Sequence, residues 1–272
     1  MRCSARTPLA ALSLLAALSL AAPAGAADLY VTGGVGMSFG LGDTKSKNVF
    51  NFDSTGNDDD NSPVYGGAIG IAFPLSELIP WRLRFPSFDV PYFPGHSVHV
   101  SGTEDFHFPG WRTSFELEGQ TGRDYNIITD GPNANTPVIS NVKSSSFMAN
   151  FRLDVPIQAP LHVFFGRLPM LEPVTLYGGA GVGASLNEIQ ATDSALGKDS
   201  DQGFTFAHQF KAGIGYALTD TMHLSVGYRY YDLGTLQVGF GSGDAQVQTS
   251  LVAHELTTGL TWQFYHLPIF DR

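Results

Sequence analysis

From residue 28 onward the chain is written largely in a period of two. In ADLYVTGGVGMSFGLG, Leu29, Val31, Val35, Met37, Phe39 and Leu41 fall on one side, with Tyr30, Thr32, Gly34, Gly36 and Ser38 on the other. Successive side chains of a strand point to opposite faces, so alternation over this length predicts a strand. The pattern recurs seven times. Tyr65, Ile69, Ile71 and Phe73 share a face in SPVYGGAIGIAF; Trp111, Thr113, Phe115 and Leu117 do so in GWRTSFELEG. Phe147, Ala149, Phe151, Leu153 and Val155 follow, then Val174, Leu176, Ala180, Val182 and Leu186. Phe206, Phe210, Ala212, Ile214 and Tyr216 make the sixth set, Leu224, Val226, Tyr228 and Tyr230 the seventh, and Val252, Leu256, Leu260, Trp262 and Phe264 the last.

The faces opposite these carry Gly, Ser, Thr and a limited set of charges: Arg112, Glu116, Glu118, Arg152, Asp154, Lys211, Arg229 and Glu255. A soluble β-sandwich would bury the apolar face and give the other to water. Small residues mixed with equal numbers of acids and bases suit instead a narrow barrel interior, where walls close on each other and charges must pair. The reading is all-β, an eight-stranded antiparallel transmembrane β-barrel with its apolar face toward lipid. Residues 42–61, 120–145, 187–203 and 234–250 are polar and predict outer loops, whereas 218–221 is a tight turn on the inner side. The inner-side links 74–109 and 156–173 are long, aromatic and proline-rich. Some alternation in VHVSGTEDFHF leaves ten or twelve strands as the alternative. Trp111, Phe73, Tyr216, Trp262 and Phe264 fall where an inner aromatic girdle is expected, and Tyr228 and Tyr230 where an outer one is.

Composition narrows this further. Residues 1–27 combine Arg2 and Arg6, an apolar stretch and a small-residue end, which predicts a secretory signal peptide cleaved after Ala26 or Ala27. The single cysteine, Cys3, lies in that segment, so the expected mature chain has neither disulfide nor thiol chemistry. Its removal leaves 13 basic against 25 acidic side chains, a net −12 on the mature chain, and nucleic acid is not an expected partner. No later stretch approaches the run of about 20 apolar residues a membrane helix needs.

LYVTGGVGMSFG, LYGGAGVGASL, FKAGIGYALTDTMHLSVGYRYYDLG and the closing TTGLTWQF together resemble the small outer-membrane β-barrels of Gram-negative bacteria, the OmpA-like, opacity-type or surface-antigen porin superfamily. The resemblance is strongest over 174–264. It implies an outer-membrane location, with lipid and lipopolysaccharide around the wall, and both termini in the periplasm. It also implies that Thr257, Gly259, Trp262 and Phe264 form the signal read by the barrel assembly machinery. Family members usually end at the final aromatic and have short periplasmic turns; here 265–272 form an additional periplasmic tail. The domain reading is thus a signal peptide over 1–27, a barrel over 28–264 and that tail.

Within the lumen, counting from the turns sets Arg112 opposite Asp154, Glu116 near Arg152, and Lys211, Arg229 and Glu255 at one height. Paired, these seven brace the interior. Lys211 beside Arg229, a like-charge pair, is the clue for the alternative of a narrow channel or porin-like carrier for small solutes. No catalytic constellation is found: His254 faces lipid, Glu255 faces inward, and no serine stands beside them. DSTGNDDDN lacks the spacing of a calcium loop, and His96, His99 and His107 lack metal-ligand spacing, so neither metal nor cofactor is expected. The expected function is structural, surface-antigen or adhesive, with host or envelope partners met through the outer loops.

Overall fold

The computed structural model describes residues 26–47, 53–75, 88–93, 96–100, 110–129, 138–158, 168–193, 197–240 and 245–268. Ten strands follow in chain order: β1 (Ala26–Lys47), β2 (Asp53–Pro74), β3 (Phe88–Phe93), β4 (His96–Val100), β5 (Arg112–Thr129), β6 (Val138–Pro156), β7 (Val174–Asp193), β8 (Gly197–Ala217), β9 (Met222–Phe240) and β10 (Ala245–Pro268). Eight of them close into an antiparallel barrel in the order β1-β10-β9-β8-β7-β6-β5-β2, with β2 paired back to β1. β3 and β4 form a separate two-stranded sheet. The alternation in the 74–109 link therefore makes a hairpin of its own, and the barrel has eight strands, not ten or twelve.

The period of two reads out in this wall as predicted. Val35, Ile69, Phe147, Val182, Phe210, Ile214, Val226, Leu256 and Trp262 face outward and exposed. The inward positions are filled in a mortise-and-tenon fashion, because long side chains of one strand lie on glycines of another. A Cβ on Gly70 would collide with the Tyr30 ring, and one on Gly227 with the Tyr177 hydroxyl. Eight strands leave an interior just wide enough for side chains. The glycines are what let the tyrosines lie in it. Toward the hairpin rim the lumen turns apolar: Tyr125, Val142, Met148, Ile189, Ala207, Tyr231, Leu233, Leu251 and Ala253 form one buried cluster.

Strands run through much of what the composition marks as outer loops: β1 reaches Lys47, β5 Thr129, β7 Asp193 and β9 Phe240. Backbone groups beyond the bilayer are still satisfied by continuing the ladder, while the outward face there no longer needs apolar residues. Composition alone consequently looks like loop. The barrel also does not stay closed to that rim. β8 pairs with β9 only from His208↔Asp232 to Ala217↔His223, and β2 with β5 only from Tyr65↔Thr121 to Pro74↔Arg112. Above those levels the wall divides into two four-stranded flaps, β5-β6-β7-β8 and β9-β10-β1-β2. Each seam starts at a glycine with positive φ, Gly234 (83°) on β9 and Gly122 (102°) on β5, beside a register shift. Such bulges bend a strand out of its sheet. The β2–β5 seam is stitched by side chains: Ser62 Oγ accepts the Asp124 N–H at 2.8 Å, and Asp60 Oδ2 accepts the Asn126 N–H at 2.6 Å.

At the opposite rim β10 does not end at Phe264. It continues to Pro268, with Tyr265 to Pro268 paired against Leu29 to Ala26 after a bulge at Leu29/Tyr30. The first half of the expected tail is thus wall; residues 269–272 lie outside the described residues, as do 1–25 of the expected signal peptide.

Candidate functional site

The lumen is the candidate site, and parity alone decides which side chains enter it. β5 and β9 stand diametrically opposite in the closed order, so long side chains from both meet at the centre. Arg229 Nη2 on β9 donates to Glu118 Oε1 on β5 at 2.7 Å, spanning the barrel. Its other nitrogen, Nη1, reaches Glu255 Oε2 on β10 at 3.4 Å. Lys211 on β8 is hydrogen-bonded to Glu116 and lies 3.8 Å from Glu118. Arg152 on β6 pairs with Glu116 at 3.7 Å and with Asp154 at 2.7 Å. Arg123 Nε donates to Glu255 Oε1 at 2.7 Å.

Read in sequence of contact, Asp154, Arg152, Glu116, Lys211, Glu118, Arg229, Glu255 and Arg123 form one chain of eight charges that alternate in sign at every step. A ninth and tenth, Arg112 and Asp28, pair with each other nearer the inner rim. Among the described residues the lumen therefore holds five acids and five bases. Neutral partners complete the acceptors: Tyr30 donates to Glu116 at 2.9 Å, Asn150 to Glu118 at 2.7 Å, Gln209 to Glu118 at 3.1 Å and Ser38 to Glu255 at 3.0 Å. Carboxylates taken from water recover their lost hydration only when their lone pairs are filled in this way.

All seven predicted lumen charges point inward. Lys211, Arg229 and Glu255 share one level through the registers Lys211↔Arg229 and Glu255↔Arg229. Arg112 does face Asp154 in the ladder, but the ion pairs are exchanged: Arg112 turns to Asp28 on β1 and Asp154 is taken by Arg152. Alternate residues of one strand stand on the same face, which places Arg152 within reach of Asp154. The apparent like-charge pair of Lys211 and Arg229 is resolved by Glu118, which lies near both.

Sequence reasoning did not name Asp28, and of the chain of eight it missed Arg123, which it assigned to an outer loop. That arginine is only 1% exposed, and its guanidinium sits 4.5 Å over the Tyr231 ring while also bonding Ser146 and Gln120. The alternation of Arg123 and Tyr125 with Asp124 and Asn126 is the signal that could have found it, hidden by the preceding bulge. Thr257 and Gly259 face the lumen, and Trp262 and Phe264 face outward as an aromatic pair with centroids 5.8 Å apart.

Two cavities lie beneath the apolar cluster. One, of about 70 Å³, lies between Glu116, Glu118, Lys211 and Arg229 and the glycine-rich wall of β1, β2 and β10. The other, of about 100 Å³, is lined by Tyr30, Arg112, Asp154, His223 and Thr261 toward the inner rim. Both are lined by Arg152 and Ser225.

Among known proteins, 37% identity over 90 residues links the chain to uncharacterized proteins of Brucella abortus, Brucella suis and Brucella melitensis, covering 29% of this chain and 32% of theirs. The matched stretch is thus about a third of those relatives' length. Solved structures with a similar course include Neisserial surface protein A, at 13% identity, covering 88% of this chain and 99% of that one with a TM-score of 0.36. The outer membrane protease OmpT of Escherichia coli is another, at 11% identity, 86% and 97% coverage and a TM-score of 0.40. Outer membrane protein AlkL is a third, at 18% identity, 87% and 90% coverage and 0.41. The family model for the outer membrane protein beta-barrel domain matches residues 87–264, from β3 through the last outward aromatic of β10. By that match and by its closed eight-stranded wall, the protein belongs to the outer membrane β-barrel family and resides in the outer membrane of a Gram-negative bacterium.

Proposed function

We propose that the protein is a non-catalytic structural element of the outer membrane, a braced and plugged barrel that presents four polar hairpins to the outside as an antigenic or adhesive surface. The observation that carries this reading is the alternating chain of eight lumen charges, which ties β5 to β6, β8, β9 and β10 and spends every one of those charges on another. Above it the cluster around Tyr125, Tyr231 and Leu251 is buried and apolar. A path for ions would have to break both layers, and breaking one buried pair by itself costs about 3–5 kcal/mol. The hairpins supply the contacts: their sequences include Asp53, Asp58, Asp59, Asp60, Asp193, Asp199 and Asp201, favouring cationic or hydroxyl-bearing partners. Single-channel recording of the refolded protein tests the reading. Baseline current without stable steps is expected, and an ion-selective open state abolished by Lys211→Ala or Arg229→Ala would sink it.

A narrow channel or carrier is the second reading. The two charge-lined cavities that share Arg152 and Ser225 favour it, since they leave polar space along one side of the lumen below the apolar cluster.

A further inference from the structure

Most lumen glycines lie under a neighbouring side chain or against a neighbouring strand, but Gly215 of β8 does not. Beyond its chain neighbours, a Cβ there would have nothing nearer than the Thr175 carbonyl, at 3.8 Å. The space beside it is the inner of the two cavities, whose lining draws on all eight barrel strands and includes Pro156 at the end of β6 and Gly110 just ahead of β5. It therefore sits across the inner mouth of the barrel. His223, also in that lining, has a buried Nε2 with no hydrogen-bond partner among the described residues.

The two cavities adjoin. Arg152 and Ser225 line both, and the upper one ends among Glu118, Lys211 and Arg229. From His223 to Arg229 along β9 is about 20 Å of strand at about 3.3 Å per residue, or roughly 15 Å along the barrel axis at a tilt of about 40°. An apolar belt is about 25 Å tall, so polar space extends over more than half of that height. There it stops. Arg229 is tied to Glu118 and Glu255, and Tyr231, the next inward residue of β9, belongs to the buried apolar cluster.

Cavities of about 100 and 70 Å³ have room for several waters each, or for a solute of a few heavy atoms. Charge decides which solute. Arg112 is paired with Asp28, and Arg152 with Asp154 and Glu116, so a mobile ion of either sign would give up its hydration to a wall whose charges are already matched. A hydroxyl or amide surrenders far less, and it can both donate to and accept from imidazole and hydroxyl groups such as those of His223 and Thr175. We propose that the inner half of the lumen is a blind vestibule, open to the periplasm alone, which admits small uncharged hydroxyl- or amide-bearing solutes past Gly215 and Arg152 and stops them at Arg229. This rests on the plugged reading of the barrel, yet the two fail separately, since a lumen filled along its whole length would be as silent to current as a blind one.

With no cysteine expected after residue 3, single substitutions report access. The whole barrel, refolded in nanodiscs, is treated with uncharged methyl methanethiosulfonate and with its anionic sulfonatoethyl and cationic trimethylammonioethyl relatives. Each rate is divided by that of Asp220→Cys on the exposed inner turn. Ser225→Cys should react with the uncharged reagent at least about tenfold faster, so normalised, than with either charged one, because only the ions pay for lost hydration. Ala253→Cys, in the apolar cluster, should not react. Gly215→Phe, which fills the mouth from a position with room for a side chain, should suppress the reaction at Ser225→Cys and leave that at Asp220→Cys unchanged. A Ser225→Cys as inert as Ala253→Cys would overturn the proposal, and so would a rate indifferent to Gly215→Phe or to reagent charge. Equal reaction at Ala253→Cys would overturn it together with the plugged reading. Should Gly215→Phe fail to fold, Gly215→Val takes its place, and the comparison of Ser225→Cys with Ala253→Cys decides without either.

Discussion

Glu255 shows at the scale of one residue what the lumen requires. Fully buried, it accepts from Arg123, Arg229 and Ser38, so its removal strands a guanidinium that has no water to turn to. Glu255→Ala should destabilise the folded barrel by about 3–5 kcal/mol in urea titrations in micelles, with Glu255→Gln, which keeps hydrogen-bond acceptors, losing less. Gly234 makes the opposite kind of demand, since its φ of 83° disfavours any side chain and a Cβ there would stand 2.7 Å from the Phe206 carbonyl. Gly234→Ala should cost at least the about 1–2 kcal/mol of a left-handed backbone, read in the same titration. Lys211, Arg229 and Glu255 were legible in advance because the turn at 218–221 is too short to blur parity. Arg123 was not, because Thr121 and Gly122 together oppose a single residue of β6, and one extra residue reverses every inward and outward assignment beyond it.

The elements were legible only where lipid imposes a pattern. Within the bilayer one face must be apolar, and there the strands could be counted and oriented. Outside it the outward face turns polar, and the few inward apolar residues of the hairpins, Tyr125, Val142 and Ile189, are too sparse to show a period of two against Asp, Asn, Gly and Ser. The end of β10 was hidden for another reason. Pro268 suggests a stop, yet as the last residue of a strand opposite Ala26 it interrupts no ladder that continues beyond it. Deleting 265–272 should therefore remove, from the mature chain, the pairing of Asp28 and Leu29 with His266 and Tyr265. At about 1 kcal/mol per backbone hydrogen bond, a loss of about 1–2 kcal/mol is expected. A heat-modifiable midpoint unchanged from wild type would show that these pairs contribute nothing.

For the whole molecule, charge is distributed by compartment. The lumen is balanced, five against five, so the net −10 of the full chain is carried elsewhere, much of it on the outer hairpins. Because the charged layer lies beneath the apolar cluster, Tyr231→Ala with Leu251→Ala should leave a folded barrel that stays silent in planar bilayers. Small-ion conductance in that double variant would place the seal in the apolar cluster alone.

The two seams carry a consequence for how such a protein can change. Below Gly122 and Gly234 each strand is locked to both neighbours, and a single inserted residue would turn a lumen charge toward lipid. Above them each hairpin answers to fewer neighbours, and pairs of residues added or removed at its tip leave every inward position below unmoved. The outer surface is thereby free to drift in length and sequence over a frame that is not, and saturation mutagenesis scored by surface display should show tolerance falling abruptly at those two glycines.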